Sequence, residues 1–217
     1  MILPVTRKNL KFIGCQFRKD MAWKGVYSVK NIFELKDGTD VIIQQCDLRN
    51  CWAGGQAGEA YMFTPSKGGQ VINVRVINNT VENVSSICNI TGLDASGINK
   101  TRSSVSFEGG TYKTNSAQMG GRGNFCLLDR GPEYLKVNDC DITTDGTTFI
   151  ELTGTGKMDL LEVTNSRFNM GKYGIRIGGL NDGDNSKGMI GTIRIEGNTI
   201  TGANSAFKNR YPNNTYA

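Results

Sequence analysis

Apolar residues recur along this chain in an eight-position pattern: apolar, any, apolar, two mostly polar or small residues, a small or amide residue, any, apolar. The pattern occupies residues 10–17 (LKFIGCQF), 41–48 (VIIQQCDL), 74–81 (VRVINNTV), 105–112 (VSFEGGTY), 135–142 (LKVNDCDI), 161–168 (LEVTNSRF) and 193–200 (IRIEGNTI). Successive copies start 31, 33, 31, 30, 26 and 32 residues apart, the range in which a fixed period signals a repeat architecture. Within a copy the first and third positions alternate with polar residues, which is the period of a strand with one face on a core. The sixth position, held by Cys15, Cys46, Asn79, Gly110, Cys140, Ser166 and Asn198, is always small or hydrogen-bonding. It is read as a bend between two short strands and as a ladder of equivalent core positions.

Sixteen to twenty residues further along most copies comes a second apolar pulse: Phe33 and Leu35, Tyr61 and Phe63, Cys88 and Ile90, Cys126 and Leu128, Ile150 and Leu152, Ile175 and Ile177, with Phe207 extending the series. Each period therefore supplies two or three strands. Their backbone groups are satisfied most simply if each period stacks on the one before, every strand pairing in parallel with its counterpart about 4.8 Å away. The predicted fold is all-β, a solenoid of about seven rungs spanning residues 1–217 as one domain with short irregular tails. A β-sandwich of many short strands has no reason to keep a period near thirty.

The repeat, and the run over residues 31–92 in which NIFELKDGTDVIIQQCDLRNCW, GQAGEAYMFTP and NNTVENVSSICNITG follow one another, resembles the right-handed parallel β-helix, or pectate-lyase-like, family. The resemblance covers most of the chain. It implies a single-stranded right-handed β-helix and leaves function open, because that fold serves lyases, hydrolases, epimerases, phage tailspikes and capsid-bound virion proteins.

Composition narrows the choice. The sequence contains no histidine, which removes histidine bases, histidine-ligated metals and Ser-His-Asp triads. Glycan hydrolysis would need two carboxylates about 5 to 9.5 Å apart. Candidates are Asp37, Asp94 and Asp129 after the second pulse, with Glu34 and Glu151 on its outward parity, and Asp94 and Asp129 lie on adjacent rungs. Residues 181–185 (NDGDN) lack the bidentate glutamate of a calcium loop and read as a tight turn. Residues 154–157 (GTGK) lack the strand-loop-helix setting of a phosphate cradle. No cofactor or metal is expected.

Six cysteines suggest stacked buried thiols rather than disulfides, since Cys15, Cys46 and Cys140 share one repeat position and Cys88 and Cys126 another. A reducing cytoplasm is the expected place of synthesis, and the amino-terminal residues do not read as a secretion signal. The charge of +5, from 25 basic and 20 acidic residues, is read as spread along the chain on a solvated surface, with neither nucleic acid nor membrane as partner. Trp23 and Trp52 are expected to plug the core edge. Together with Arg122, Arg130, Arg210 and Tyr211 they are the candidate interaction residues.

Short height, ends without a capping helix and absent histidine chemistry favour a phage virion structural protein. The expectation is a homotrimeric β-helix that decorates or cements the shell by binding the major capsid protein. The alternative is a tailspike-type module that recognises or cleaves host surface polysaccharide, a reading weakened by the lack of a head-attachment segment before the first rung. A free-standing carbohydrate-active enzyme is the third reading.

Overall fold

A computed structural model describes residues 7–154, 156–177, 189–202 and 205–209. They form three sheets of seven parallel strands, and each turn of the chain contributes one strand to each sheet. The first sheet runs Lys11–Ile13, Gly38–Gln44, Val71–Ile77, Ser104–Glu108, Tyr134–Asn138, Lys157–Thr164 and Met189–Glu196. The second runs Gln16–Arg18, Asp47–Cys51, Thr80–Val84, Thr111–Thr114, Asp141–Thr143, Arg167–Asn169 and Thr199–Thr201. The third runs Phe33–Leu35, Glu59–Phe63, Ser86–Thr91, Cys126–Asp129, Thr148–Thr153, Tyr173–Ile177 and Ser205–Asn209. The chain is thus a parallel β-solenoid in which every period yields three strands.

Register follows the apolar pattern. The third position of each copy forms the column Phe12, Ile43, Val76, Phe107, Val137, Val163, Ile195. The eighth forms Phe17, Leu48, Val81, Tyr112, Ile142, Phe168, Ile200. The second pulse aligns Phe33, Tyr61, Cys88, Cys126, Ile150, Ile175 and Phe207. From the second to the sixth rung these side chains are buried, and slipping one residue would turn them outward, so burial pins the register. Rings run up the interior from Phe33 through Tyr61, Phe107, Phe125 and Phe149 to Phe168, with centroids 4.7 to 6.4 Å apart. Such pairs add to the area they bury.

The bend between the first two sheets falls one residue earlier than the sequence reading places it. The fifth position, occupied by Gly14, Gln45, Asn78, Gly109, Asp139, Asn165 and Gly197, is left-handed in all seven copies, with φ between 50° and 66°. Glycine, asparagine and aspartate tolerate that region best, so Gln45 is the residue out of place. The sixth position turns inward after the bend and forms the ladder. Asn79 accepts from the Cys46 amide at 2.7 Å and donates to the Ile43 carbonyl and the Tyr61 hydroxyl, both at 3.0 Å. Higher up, Cys140 donates its amide to Ser166 Oγ at 3.0 Å, and Ser166 donates its own to Asn198 Oδ1 at 2.9 Å. Gly110 supplies no side chain because a Cβ there would lie 2.4 Å from the Asn79 carbonyl oxygen, and its φ of 94° favours glycine. Cys15, at the first rung, is only half-buried.

All six cysteines are free thiols. Cys88 and Cys126 are register neighbours, and burial pushes the Cys140 thiol up to about 12. A second polar ladder, which the pattern does not reveal, holds the next corner. Asn83 donates to Asn50 Oδ1 at 2.8 Å and accepts from Asn115 Nδ2 at 2.9 Å, while Asn50 and Asn83 take left-handed φ of 65° and 57°. Among the described residues helix is confined to a 3-10 turn, Met21–Trp23, and one α-turn, Ser116–Met119. Among the described residues no helix is long and apolar enough to cross a membrane.

Candidate interaction surface

The carboxylates considered for chemistry are held by structural partners. Glu34 pairs with Lys36 at 2.7 Å and Glu151 with Arg176 at 3.0 Å. Asp37 accepts from the Gln70 amide at 3.0 Å. Asp94 is buried and accepts from the Gly68 amide at 2.6 Å and from Ser96, whose hydroxyl holds the carboxyl below its usual range. Asp129 lies 3.7 Å from Arg130, with its carboxylate over Gly154 on the following rung. Asp94 is therefore turned to the rung before and Asp129 to the rung after, each held by its own partners. The sixth-position ladder is packing machinery throughout. Residues 181–185, Arg210 and Tyr211 lie outside the described residues, as does Thr155 of the 154–157 loop. Among the described residues no cluster of three or more His, Cys, Asp or Glu could hold a metal ion.

The two tryptophans part company. Trp52 plugs the core edge, 3% exposed, with Lys19 Nζ 6.0 Å from its ring centroid. Trp23 is 46% exposed, so the expectation that it plugs the core is corrected. It sits in an excursion between the second and third sheets of the first turn. Asp20 caps the 3-10 turn by accepting from the Ala22 amide at 2.9 Å, and Lys19 reaches back to the Lys30 carbonyl. The base of the excursion is thereby tied, and its tip presents Trp23, Val26 and Tyr27 to solvent. Trp23 and Tyr27 meet edge to face at 6.4 Å, and Tyr27 is 62% exposed. Clustered exposed apolar side chains are where contacts with other molecules form, which makes this tip the candidate interaction site.

Charge follows the same asymmetry. Residues 7–32, the first turn, carry seven Lys and Arg against the single acid Asp20, and the rest of the chain carries 18 basic against 19 acidic residues. The first turn alone holds a formal +6, so the excess is concentrated and not spread, a correction to the sequence reading. Arg18 pairs with Asp47, whereas Arg7, Lys8, Lys11, Lys24 and Lys30 are exposed. Elsewhere cross-rung pairs cancel the charge, such as Arg75 with Glu108 at 2.6 Å, Arg49 with Glu82 at 2.8 Å and Arg167 with Asp141 at 2.7 Å. A count of charge along successive repeats finds this segregation from sequence.

The outer face of the third sheet is different again. Its outward column is Glu34, Met62, Asn89, Leu127, Glu151, Arg176, nearly free of charge in the middle. Glu59 lies at one edge, 3% exposed. Burial pushes its carboxyl up, opposed by the nearby Arg122 guanidinium and the Asn89 side chain. The loop that carries Arg122 is pressed onto this edge. A side chain at Gly121 would collide with Ser85 Oγ, and the Gly123 amide donates to the Ser85 carbonyl at 2.9 Å. Arg122 itself is exposed. Sequence reading missed Glu59, although its place two residues before Tyr61, on the parity of the core, was the available signal. Compared with protein-family models, with curated proteins and with solved structures, the chain finds no match.

Proposed function

We propose that this chain is a structural protein that docks its rigid solenoid through the first turn onto an acidic protein surface. In its specific form it is a homotrimeric decoration or cement protein of a phage capsid, related to the pectate-lyase-like β-helices found in virion proteins. One observation carries the reading: a formal +6 is confined to residues 7–32, beside the exposed Trp23, Val26 and Tyr27. Basic side chains steer the approach and suppress wrong partners, and the aromatic tip supplies the desolvated anchor of the contact. Repetition over many identical shell sites then gives avidity without an active site. The carboxylates considered for glycan cleavage are each engaged in holding loops or rungs, which fits a scaffold.

Quantitative mass spectrometry of purified particles from the source, relative to the major shell protein, tests this. Copies in fixed proportion to the shell support it. A handful per particle would place the chain in the tail as a receptor-binding module, and absence from particles would overturn the virion reading. In reconstitution with shells, Lys11→Glu combined with Lys24→Glu and Lys30→Glu is expected to abolish binding without lowering the unfolding temperature. Sedimentation equilibrium at three times the chain mass tests the trimer.

A further inference from the structure

Among the described residues six buried side-chain polar atoms lack a hydrogen-bond partner, and five lie on or just before strands of the third sheet: Asn31 Oδ1, Glu59 Oε2, Ser86 Oγ, Asn89 Oδ1 and Asn124 Nδ2. Glu59 and Ser86 are register partners. The backbone bonds Ile32 N to Glu59 O and Ile87 N to Asn124 O place Asn31 and Asn124 in the same column. Native structures leave few such atoms, each costing about 1 to 3 kcal/mol if nothing satisfies it. Asn31, Glu59, Ser86 and Asn124 take the parity of the core and Asn89 the outward face, so unmet polar groups concentrate at this one corner of the third sheet.

At its upper end this edge opens into a cleft of about 360 Å³ lined by Arg122, Asn124, Thr147, Thr148, Glu151 and Arg176. Donors dominate the wall. Asn124 is 2% exposed and its Nδ2 has no partner. Arg122 has no carboxylate within ion-pair distance among the described residues. Arg176 gives one nitrogen to Glu151 at 3.0 Å, which neutralises the one acid among the described lining residues, and a guanidinium carries further N–H donors. The two arginines against one glutamate give the cleft a formal +1.

We propose that this cleft binds a compact oxyanion, a carboxylate or a phosphate group, held by the Arg122 guanidinium and the Asn124 side-chain amide. Charge-assisted donation from a planar guanidinium suits either group. A buried amide whose N–H is otherwise unmet adds selectivity for an acceptor, and the volume suits a ligand of small-molecule size.

The test uses the full chain with inorganic phosphate and acetate as probes and acetamide as the uncharged control of acetate's shape. Binding is followed by calorimetry and by the NMR signal of the Asn124 side-chain amide. Saturable binding of one anion, weakened by salt and accompanied by a shift of that amide, is expected, with none for acetamide. Phosphate alone or acetate alone then identifies the group. Arg122→Gln, at an exposed position, should weaken binding at least tenfold with an unchanged unfolding temperature, and Asn124→Asp should abolish it. Binding equal in wild type and Arg122→Gln, or no saturable binding of either anion up to about 10 mM, well past the weakest affinities of interest, would overturn the proposal.

Discussion

The first and fourth rungs are built on the same eight positions and the same left-handed corner, yet they present opposite surfaces. In the fourth, Val105, Phe107 and Tyr112 are fully buried, and Glu108 accepts from Arg75 at 2.6 Å and from Ser106 at 3.0 Å. In the first, Leu10, Phe12 and Phe17 are only half-buried, and Lys11, Ile13 and Lys24 face solvent without an ion pair among the described residues. The backbone does not distinguish them. The first, third and eighth positions answer to packing and are apolar on every rung, whereas outward positions are free to differ, and the first turn uses that freedom to collect charge and aromatic surface.

Truncation at equivalent inward positions should expose the difference most strongly. Phe107→Ala removes a ring within 5.1 to 6.0 Å of Tyr61, Tyr112 and Phe125 and is expected to cost about 3 to 5 kcal/mol in denaturant unfolding. Phe12→Ala, in the same column, should cost about half of that or less because part of its surface is already wet. Equal losses would mean that the first rung is as firmly packed as the fourth.

Asn79→Ala comes next. It strands the Cys46 amide, the Ile43 carbonyl and the Tyr61 hydroxyl and should cost about 2 to 3 kcal/mol. The effect of Glu59→Gln depends on pH. Burial raises the Glu59 carboxyl above its ordinary 4.5, so the native chain keeps a proton that the unfolded chain releases. Wild-type stability therefore falls as pH rises from 4.5 through the folded-state value. The variant lacks that slope, so the two unfolding curves should coincide below pH 4.5 and separate above it, with the variant the more stable. A variant that is less stable at neutral pH would mean that Glu59 is held ionised by Arg122.

Gln45→Gly relieves the corner residue least suited to φ of 53° and should stabilise by up to about 1 kcal/mol, visible as a raised unfolding temperature. The smallest effect on stability belongs to Trp23→Ala, within about 0.5 kcal/mol, despite the size of the residue removed. A larger loss would return Trp23 to the core edge.

Much of the fold was legible in the sequence because a solenoid repeats its demands. Phe33 and Leu35 already announce the third sheet, and Tyr61 and Phe63 repeat the announcement one period later. The corner was less legible. Attention falls on the sixth position, where Cys46 and Asn79 are chemically conspicuous, while the fifth mixes Gly, Asn and Asp with Gln45 and shows its common property only through φ. The candidate sites were the least legible. Nothing in the Trp23 and Trp52 neighbourhoods says which ring is buried, because that depends on loops meeting across turns: the Ala53 amide donates to the Met119 carbonyl at 2.8 Å, and residues 66 positions apart are needed to cover this corner.

The sequence by itself determined the rungs, with two or three strands to each, and their register, since a period-two apolar pattern renewed about every thirty residues can be buried in only one alignment; that each rung holds three strands is set by the structure. Tertiary structure alone decided which polar groups are covered and which charges are left unpaired. Asp94 was turned to the rung before and Asp129 to the rung after, Glu59 was buried at the sheet edge, and Trp23 was left outside. Those outcomes turn on side chains from different turns meeting at the surface, where no repeating physical demand fixes the residue.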